Sequence, residues 1–169
     1  NLLPNTAPVT TTVTDDIDVT TVTLSAPASA AEGGAITYTA TLTNAAASPV
    51  TVTLSTGETI TIAAGATTGA VTIAAPTDDP HVDAGSVSRT ISTATGGGFE
   101  SLAVNPAAAT TSITDTIDAT TVSLSATASV AEGGSIVYTA TLTNAAQTPV
   151  TVTLSTGQTI TIAAGATTG

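Results

Sequence analysis

The chain repeats itself. Residues 9–69 align without gaps to 109–169 at an offset of 100, with 48 of 61 positions identical. Thr14-Asp15-Asp16-Ile17-Asp18 returns as Thr114-Asp115-Thr116-Ile117-Asp118, and Ala31-Glu32-Gly33-Gly34 returns as Ala131-Glu132-Gly133-Gly134. A period of this length is too long for one coil of a leucine-rich or hexapeptide solenoid and matches one β-sandwich domain. Asn5 matches Asn105, so 1–14 reads as the last strand of a preceding unit. One complete unit is expected at 15–114, and 115–169 is expected to hold only the first four strands, A to D, of the next. On this reading the sequence is a window on a longer array, and Asn1-Leu2-Leu3-Pro4 does not read as a signal peptide.

Within the unit, apolar and Thr residues alternate with period two. Thr20–Ser25, Ile36–Leu42, Val50–Leu54, Thr59–Ile62, Val71–Ile73, a stretch around Val87–Ile91 and a last strand between Leu102 and Thr114 give seven strands, A to G. β-branched alternation broken by Gly, Pro, Asn and Asp turns is the pattern of half-buried antiparallel strands. The expected fold is all-β: tandem immunoglobulin-like antiparallel sandwiches of about 100 residues each. The predicted core holds Val22, Leu24, Ile36, Tyr38, Leu42, Val50, Val52, Leu54, Ile60, Ile62, Val71 and Ile73, with Phe99 as extra bulk. Arg89 shares parity with Val87 and Ile91. It therefore points inward, as a strand-end side chain reaching water or as a buried partner of a carboxylate.

Charge narrows the function. One Arg and no Lys stand against twelve Asp plus Glu, a net charge of −11. Nucleic-acid phosphates and anionic membranes need clustered cations, so neither is a partner. No apolar run approaches the roughly 18–20 residues of a spanning helix. No cysteine is present, which removes disulfides, thiolate metal sites and a Cys nucleophile. The lone His81 lies near Asp83, but one loop does not make a catalytic triad. Gly96-Gly97-Gly98 opens no helix and reads as a flexible turn, not a phosphate loop. The expectation is a protein without catalysis or a small-molecule substrate.

The acids are not scattered. With strands of alternating direction, Glu32 lies in the A–B turn and Asp78, Asp79 and Asp83 in the E–F loop. Asp115 and Asp118 follow strand G, so six carboxylates converge on one pole and its exit linker. Like charges this close repel, and a hard divalent cation reverses the sign. Ca²⁺ takes six to eight oxygens and is the expected ion, with His81 as the sole softer donor. Asp15, Asp16, Asp18 and Glu132 form weaker half-sites, because their partner turns fall outside the chain.

Ala-Glu-Gly-Gly before a strand, Asp-Asp-x-x-x-Asp, and Ile-Thr-Asp-x-Ile-Asp at the exit resemble the Calx-β and immunoglobulin-like repeats of giant bacterial adhesins. The likeness is greatest to the extender repeats of LapA-type biofilm adhesins exported by type I secretion. The resemblance implies Ca²⁺ ligation by Glu32, Asp78, Asp79, Asp83, Asp115 and Asp118. Two departures stand out: position 83 is Asp where Calx-β has Glu, and the exit reads Asp-Thr-Ile-Asp. It also implies an extracellular, cell-surface spacer in adhesion and biofilm formation, whose partners are adjacent repeats of the same chain. A glycan- or ice-binding module using Thr-rich strand faces is the alternative. Against it, the two tyrosines fall at one core position, Tyr38 and Tyr138, leaving none for sugar stacking.

Overall fold

The computed structural model describes residues 2–4 and 6–169. Asn1 and Asn5 lie outside the described residues, and with Asn5 goes the match that assigned 1–14 to a strand. The described residues of 1–14 form no strand, whereas their counterparts in 101–114 form two.

Every regular element among the described residues is a strand. They are β1 (Val19–Ser25), β2 (Ser29–Ala31), β3 (Ala35–Leu42), β4 (Val50–Leu54), β5 (Thr59–Ile62), β6 (Thr68–Ala74), β7 (Gly85–Arg89), β8 (Ile91–Gly96), β9 (Ser101–Val104) and β10 (Ala109–Thr114). Then follow β11 (Val122–Ala126), β12 (Tyr138–Leu142), β13 (Val150–Thr153) and β14 (Thr159–Ile162). Contacts divide the chain into two compact units. One holds residues up to Ala28, Ile36–Ile73 and Ser88–Thr111; the other holds Ser29–Ala35, Ala74–Val87 and Ser112–Gly169.

In the first unit one sheet has the order β6-β3-β1-β9 and another β5-β4-β8. Period-two burial is regular. Ile36, Tyr38, Ala40 and Leu42 are buried along β3, and Val50, Val52, Leu54, Ile60 and Ile62 along β4 and β5, with Thr between them. Leu24, Val71 and Ile73, expected in the core, are only half-buried, whereas Ile91 and Ile113 are buried. Two hydroxyls go inside with partners: Thr111 Oγ1 donates to the Pro27 carbonyl at 2.8 Å, and Thr20 Oγ1 accepts from Asn44 Nδ2 at 3.0 Å.

Three expectations need correction. The strand expected around 87–91 is two strands in different sheets: β7 joins the order β2-β10-β7, and β8 pairs with β4. Thr90 is the corner, held by Ser55 N–H to its carbonyl at 2.9 Å and by its own N–H to Ser55 Oγ at 3.3 Å. Arg89, at that corner, is half-buried and donates from Nη1 to the Ser88 carbonyl at 3.0 Å; its Nε is buried without a partner. The last strand is likewise two, because Pro106 has no N–H for a ladder and Asn105 Oδ1 caps the turn by accepting from Ala107 N–H at 2.9 Å. Its halves, β9 and β10, run parallel to β1 and β2, so the sheets are not wholly antiparallel. Finally, Gly96-Gly97-Gly98 is a packed turn. Gly97 accepts from Ala47 N–H at 2.9 Å and donates to the Pro49 carbonyl at 3.2 Å. At φ +84°, a Cβ on Gly97 would lie 2.2 Å from the Phe99 ring.

In the second repeat β11 pairs with β12 and β13 with β14. Its buried cluster is small: Ala140, Leu142 and Ile162. Tyr138 is 42% exposed where Tyr38 is fully buried, and Val122 and Leu124 are half-exposed.

Candidate metal centre

A three-stranded sheet aims the acids. β2 ends one residue before Glu32, β10 ends one residue before Asp115, and β7 begins two residues after Asp83. β2 and β10 run parallel with Ala31 opposite Thr114, and Glu32 N–H donates to the Thr114 carbonyl at 3.1 Å. The two strands therefore deliver Glu32 and Asp115 side by side.

The Ala-Glu-Gly-Gly turn explains its own spelling. Gly34 N–H closes it on the Ala31 carbonyl at 3.1 Å, and a Cβ on Gly34 would lie 2.9 Å from that oxygen. Gly33 sits at φ +65°, where side chains are costly, and its N–H donates to the Pro76 carbonyl at 2.7 Å. That bond ties the turn to the loop carrying Asp79 and Asp83.

Oxygens of Glu32, Asp83 and Asp115 all lie within 4.8 Å of one another. Glu32 is buried, Asp115 half-buried and Asp83 exposed. Glu32 Oε2 and Asp115 Oδ1 are shielded from solvent and accept no hydrogen bond. Burial, then a hydrogen bond with the Asp83 carboxyl, then the charges of Asp83, Asp115 and Asp79, push Glu32 from its ordinary 4.5 up to about 7. Each of these influences disfavours the carboxylate, and no neighbouring cation offsets them. A buried, partnerless oxygen in an all-acid group is what a cation would satisfy, so these residues could hold a metal ion.

The other acids sit further out. Asp79 borders the same cavity of about 250 Å³ as Glu32 and Asp83, and its Oδ1 accepts from His81 N–H at 2.8 Å. Asp78 is exposed and accepts a hydrogen bond from the Thr116 hydroxyl, a contact the sequence reading did not anticipate. Asp118 is exposed and lies outside the three-carboxylate group. Asp15, Asp16, Asp18 and Glu132 are exposed, and Asp18 N–H donates to Glu100 Oε2 at 2.7 Å.

The LapA domain model matches residues 18–116 and again 118–169. The chain belongs to the LapA domain family. The two matches begin 100 residues apart, the same offset as the internal repeat. No curated protein and no solved structure matches the chain. The LapA repeats thus carry the resemblance to LapA-type adhesins that the Glu-Gly-Gly, Asp-Asp and exit-Asp motifs pointed to.

Proposed function

We propose that the chain is a non-catalytic extender segment of a secreted bacterial surface adhesin, stiffened by Ca²⁺ where one LapA repeat passes into the next. Membership of the LapA family supports a role in adhesion and biofilm formation at the cell surface. We read 15–114 as one Calx-β-like sandwich whose leaves are the β6-β3-β1-β9 and β5-β4-β8 sheets, and 115–169 as the start of the next. The observation that carries the calcium reading is the buried Glu32 carboxylate, whose Oε2 has no hydrogen-bond partner, beside the likewise unpartnered Asp115 Oδ1 at the exit from the first repeat. Oxygen-only donors with no thiolate favour Ca²⁺ over softer metals. Asp79, and through the Pro76–Gly33 bond the whole E–F loop, are drawn toward the ion with Asp83.

Extracellular Ca²⁺ modules bind at about 10⁻⁴–10⁻³ M, so a site of this class fills outside the cell and stays largely empty inside. The repeats would leave the cell loose and stiffen afterwards. Isothermal titration and small-angle scattering of a chain with two complete repeats test this. Calcium should bind and lengthen the maximum dimension relative to chelator. No heat of binding, or no change in dimension, would remove the stiffening role.

A second reading has one observation in its favour. On the β5-β4-β8 sheet, Thr51 faces Thr61 and Thr95, and Thr53 faces Thr59 and Thr93, forming a Thr grid suited to ice or a glycan lattice. However, the ladder shifts register between Thr53 and Leu54, and such irregularities add twist to a face that lattice binding needs flat. Thermal hysteresis or polysaccharide pull-down with Thr51→Lys as control decides it; no activity in either assay removes this reading.

A further inference from the structure

One of the acids outside the close group is held there by a hydroxyl. Thr77 and Asp79 border the cavity of Glu32 and Asp83, but Asp78 between them does not. Successive side chains diverge in the same way after β10. Asp115 belongs to the close group, its Oδ1 shielded from solvent, whereas Thr116 donates its hydroxyl to Asp78 Oδ1. Gly33 leaves room for this arrangement, since a Cβ there would lie 3.2 Å from the Asp78 Cβ. All of these residues belong to the second contact unit.

The Thr116 bond acts in two ways. It ties the E–F loop to the exit linker without a cation, alongside the bond from Gly33 N–H to the Pro76 carbonyl at 2.7 Å. It also occupies an Asp78 oxygen that a cation at Glu32, Asp83 and Asp115 would otherwise draw in. Ca²⁺ takes six to eight oxygens, so such an ion completes its shell from Asp79, backbone carbonyls or water. Position 116 is one at which the repeats differ, and its counterpart is Asp16. An ionised carboxylate has no proton to donate. Two carboxylates at hydrogen-bonding distance repel, and a cation that bridges them reverses the sign.

We propose that residue 116 sets the calcium response of its seam, the passage from one repeat to the next. Thr116 keeps Asp78 off the ion and latches the E–F loop to the exit linker when no metal is bound. An Asp at this position, as at 16, recruits Asp78 as a further ligand and makes that tie depend on the cation. Ligand charge count tunes Ca²⁺ affinity between sites of one design. An array carrying both residues would therefore stiffen over a range of calcium concentrations and not at one threshold. Asp78, a ligand by resemblance, is on this proposal not a ligand in this chain. The proposal rests on the calcium-extender reading and names the residue that regulates its site.

Calorimetric titration with calcium and hydrogen exchange of the whole chain test this. Asp78→Asn keeps an oxygen for Thr116 to donate to, and in the wild-type background it should leave calcium affinity unchanged. A loss of about tenfold, the scale on which ligand charge count moves such sites, would make Asp78 a ligand and overturn the proposal. Thr116→Asp should tighten calcium by about tenfold or add an ion to the stoichiometry, and should lower the melting temperature in chelator. Adding Asp78→Asn to Thr116→Asp should remove the gain. An affinity no tighter than the wild type's, or a gain that survives Asp78→Asn, overturns it. Thr116→Val removes the donor without adding charge. In chelator its amides over 77–83 should exchange faster than the wild type's; equal exchange removes the latch. Calcium binding by the wild type without these responses overturns the role of residue 116 alone. No calcium binding by the wild type or by any variant overturns the calcium reading and this proposal together.

Discussion

Glu32→Gln is the most informative single change. In the folded chain Glu32 titrates at about 7 against an ordinary 4.5, because it is buried beside Asp83 and Asp115. Its folded-state pKa is raised, so the folded state binds the proton more tightly than the unfolded chain does. In chelator, stability should therefore fall as pH rises from about 4.5 to 7, with up to one proton released, and flatten above that. Calcium opposes the trend, since it binds the carboxylate and not the acid. The calcium-minus-chelator difference in melting temperature should grow across the same window. At calcium a hundredfold above Kd, linkage adds about 2.7 kcal/mol. For a domain of roughly 60–100 residues, each kcal/mol is worth about 4–8 °C, so the shift at pH 7.5 should be about 10–20 °C. Glu32→Gln keeps the side chain's shape and removes its charge. In chelator it should melt higher than the wild type at pH 7.5 and lose most of the pH dependence. With calcium it should gain only a few degrees. Differential scanning calorimetry from pH 4.5 to 8 measures all of this. A chelated wild type whose stability does not fall over that window, or a Glu32→Gln chain that keeps the full calcium shift, would refute the reasoning.

Arg89 is the sole tryptic site, half-buried where β7 turns into β8, and β7 starts just after Asp83. Calcium should slow trypsin cleavage there several-fold, read by mass spectrometry as fragments 1–89 and 90–169; equal rates with and without calcium would uncouple the metal from β7. Gly97→Ala must displace the Phe99 ring and hold alanine at φ +84°, so it should cost about 2–4 kcal/mol in urea unfolding. Gly57→Ala, with φ +96° but open space around it, should cost only the backbone share, about 1–2 kcal/mol. Thr111→Val leaves the Pro27 carbonyl without its donor and should destabilise by about 1–3 kcal/mol; a neutral result would mean water replaces the hydroxyl.

What the sequence made legible was periodicity. Alternation assigns each residue of β3, β4 and β5 to a face, and Ile36, Tyr38, Leu42, Val50, Val52, Leu54, Ile60 and Ile62 are all buried. Parity does not say which sheet a strand joins. The Thr90 corner depends on Ser55, 35 residues away, and the β9–β10 split separates two strands whose partners are β1 and β2. The site shows the same limit. Chain order brings six acids to one pole, but the close group is Glu32, Asp83 and Asp115, which flank the ends of the three strands of one sheet. Asp78 is one residue from Asp79 in sequence, yet it is engaged by Thr116. Burial of Glu32 had one local signal, the two glycines after it, whose close approaches fold the turn onto the Pro76 loop.

The two repeats also show which positions the fold keeps. Between 15–69 and 115–169, none of the differences falls on a residue that is buried in the first repeat; in the stretch before, Val9/Ala109 and Val13/Ile113 change one apolar residue for another at buried positions of β10. The differences within 15–69 fall on exposed or half-buried sites such as Ala35/Ser135, Thr37/Val137 and Ala47/Gln147. The apolar side chains exposed on β11 and β12 are therefore the same ones that β1 and β3 carry. Within 115–169 only β1, β3, β4 and β5 have counterpart strands, so the exposure of these side chains goes with the lack of counterparts to β2 and to β6 through β10 and not with a different core. Glu32 behaves like a member of that core, since Glu132 repeats it while Glu58 becomes Gln158 on the surface. A buried carboxylate kept on the same terms as Ile36 or Val50 is hard to explain by packing, because it weakens the apo fold at neutral pH. It is intelligible if the fold is completed by a cation. Latitude appears one residue beyond Asp115, where Thr116 donates to Asp78 but its counterpart is Asp16. A carboxylate there cannot donate when ionised, and it adds negative charge instead. Consecutive seams of such an array would then share their core geometry while differing in the charge available to draw in the ion.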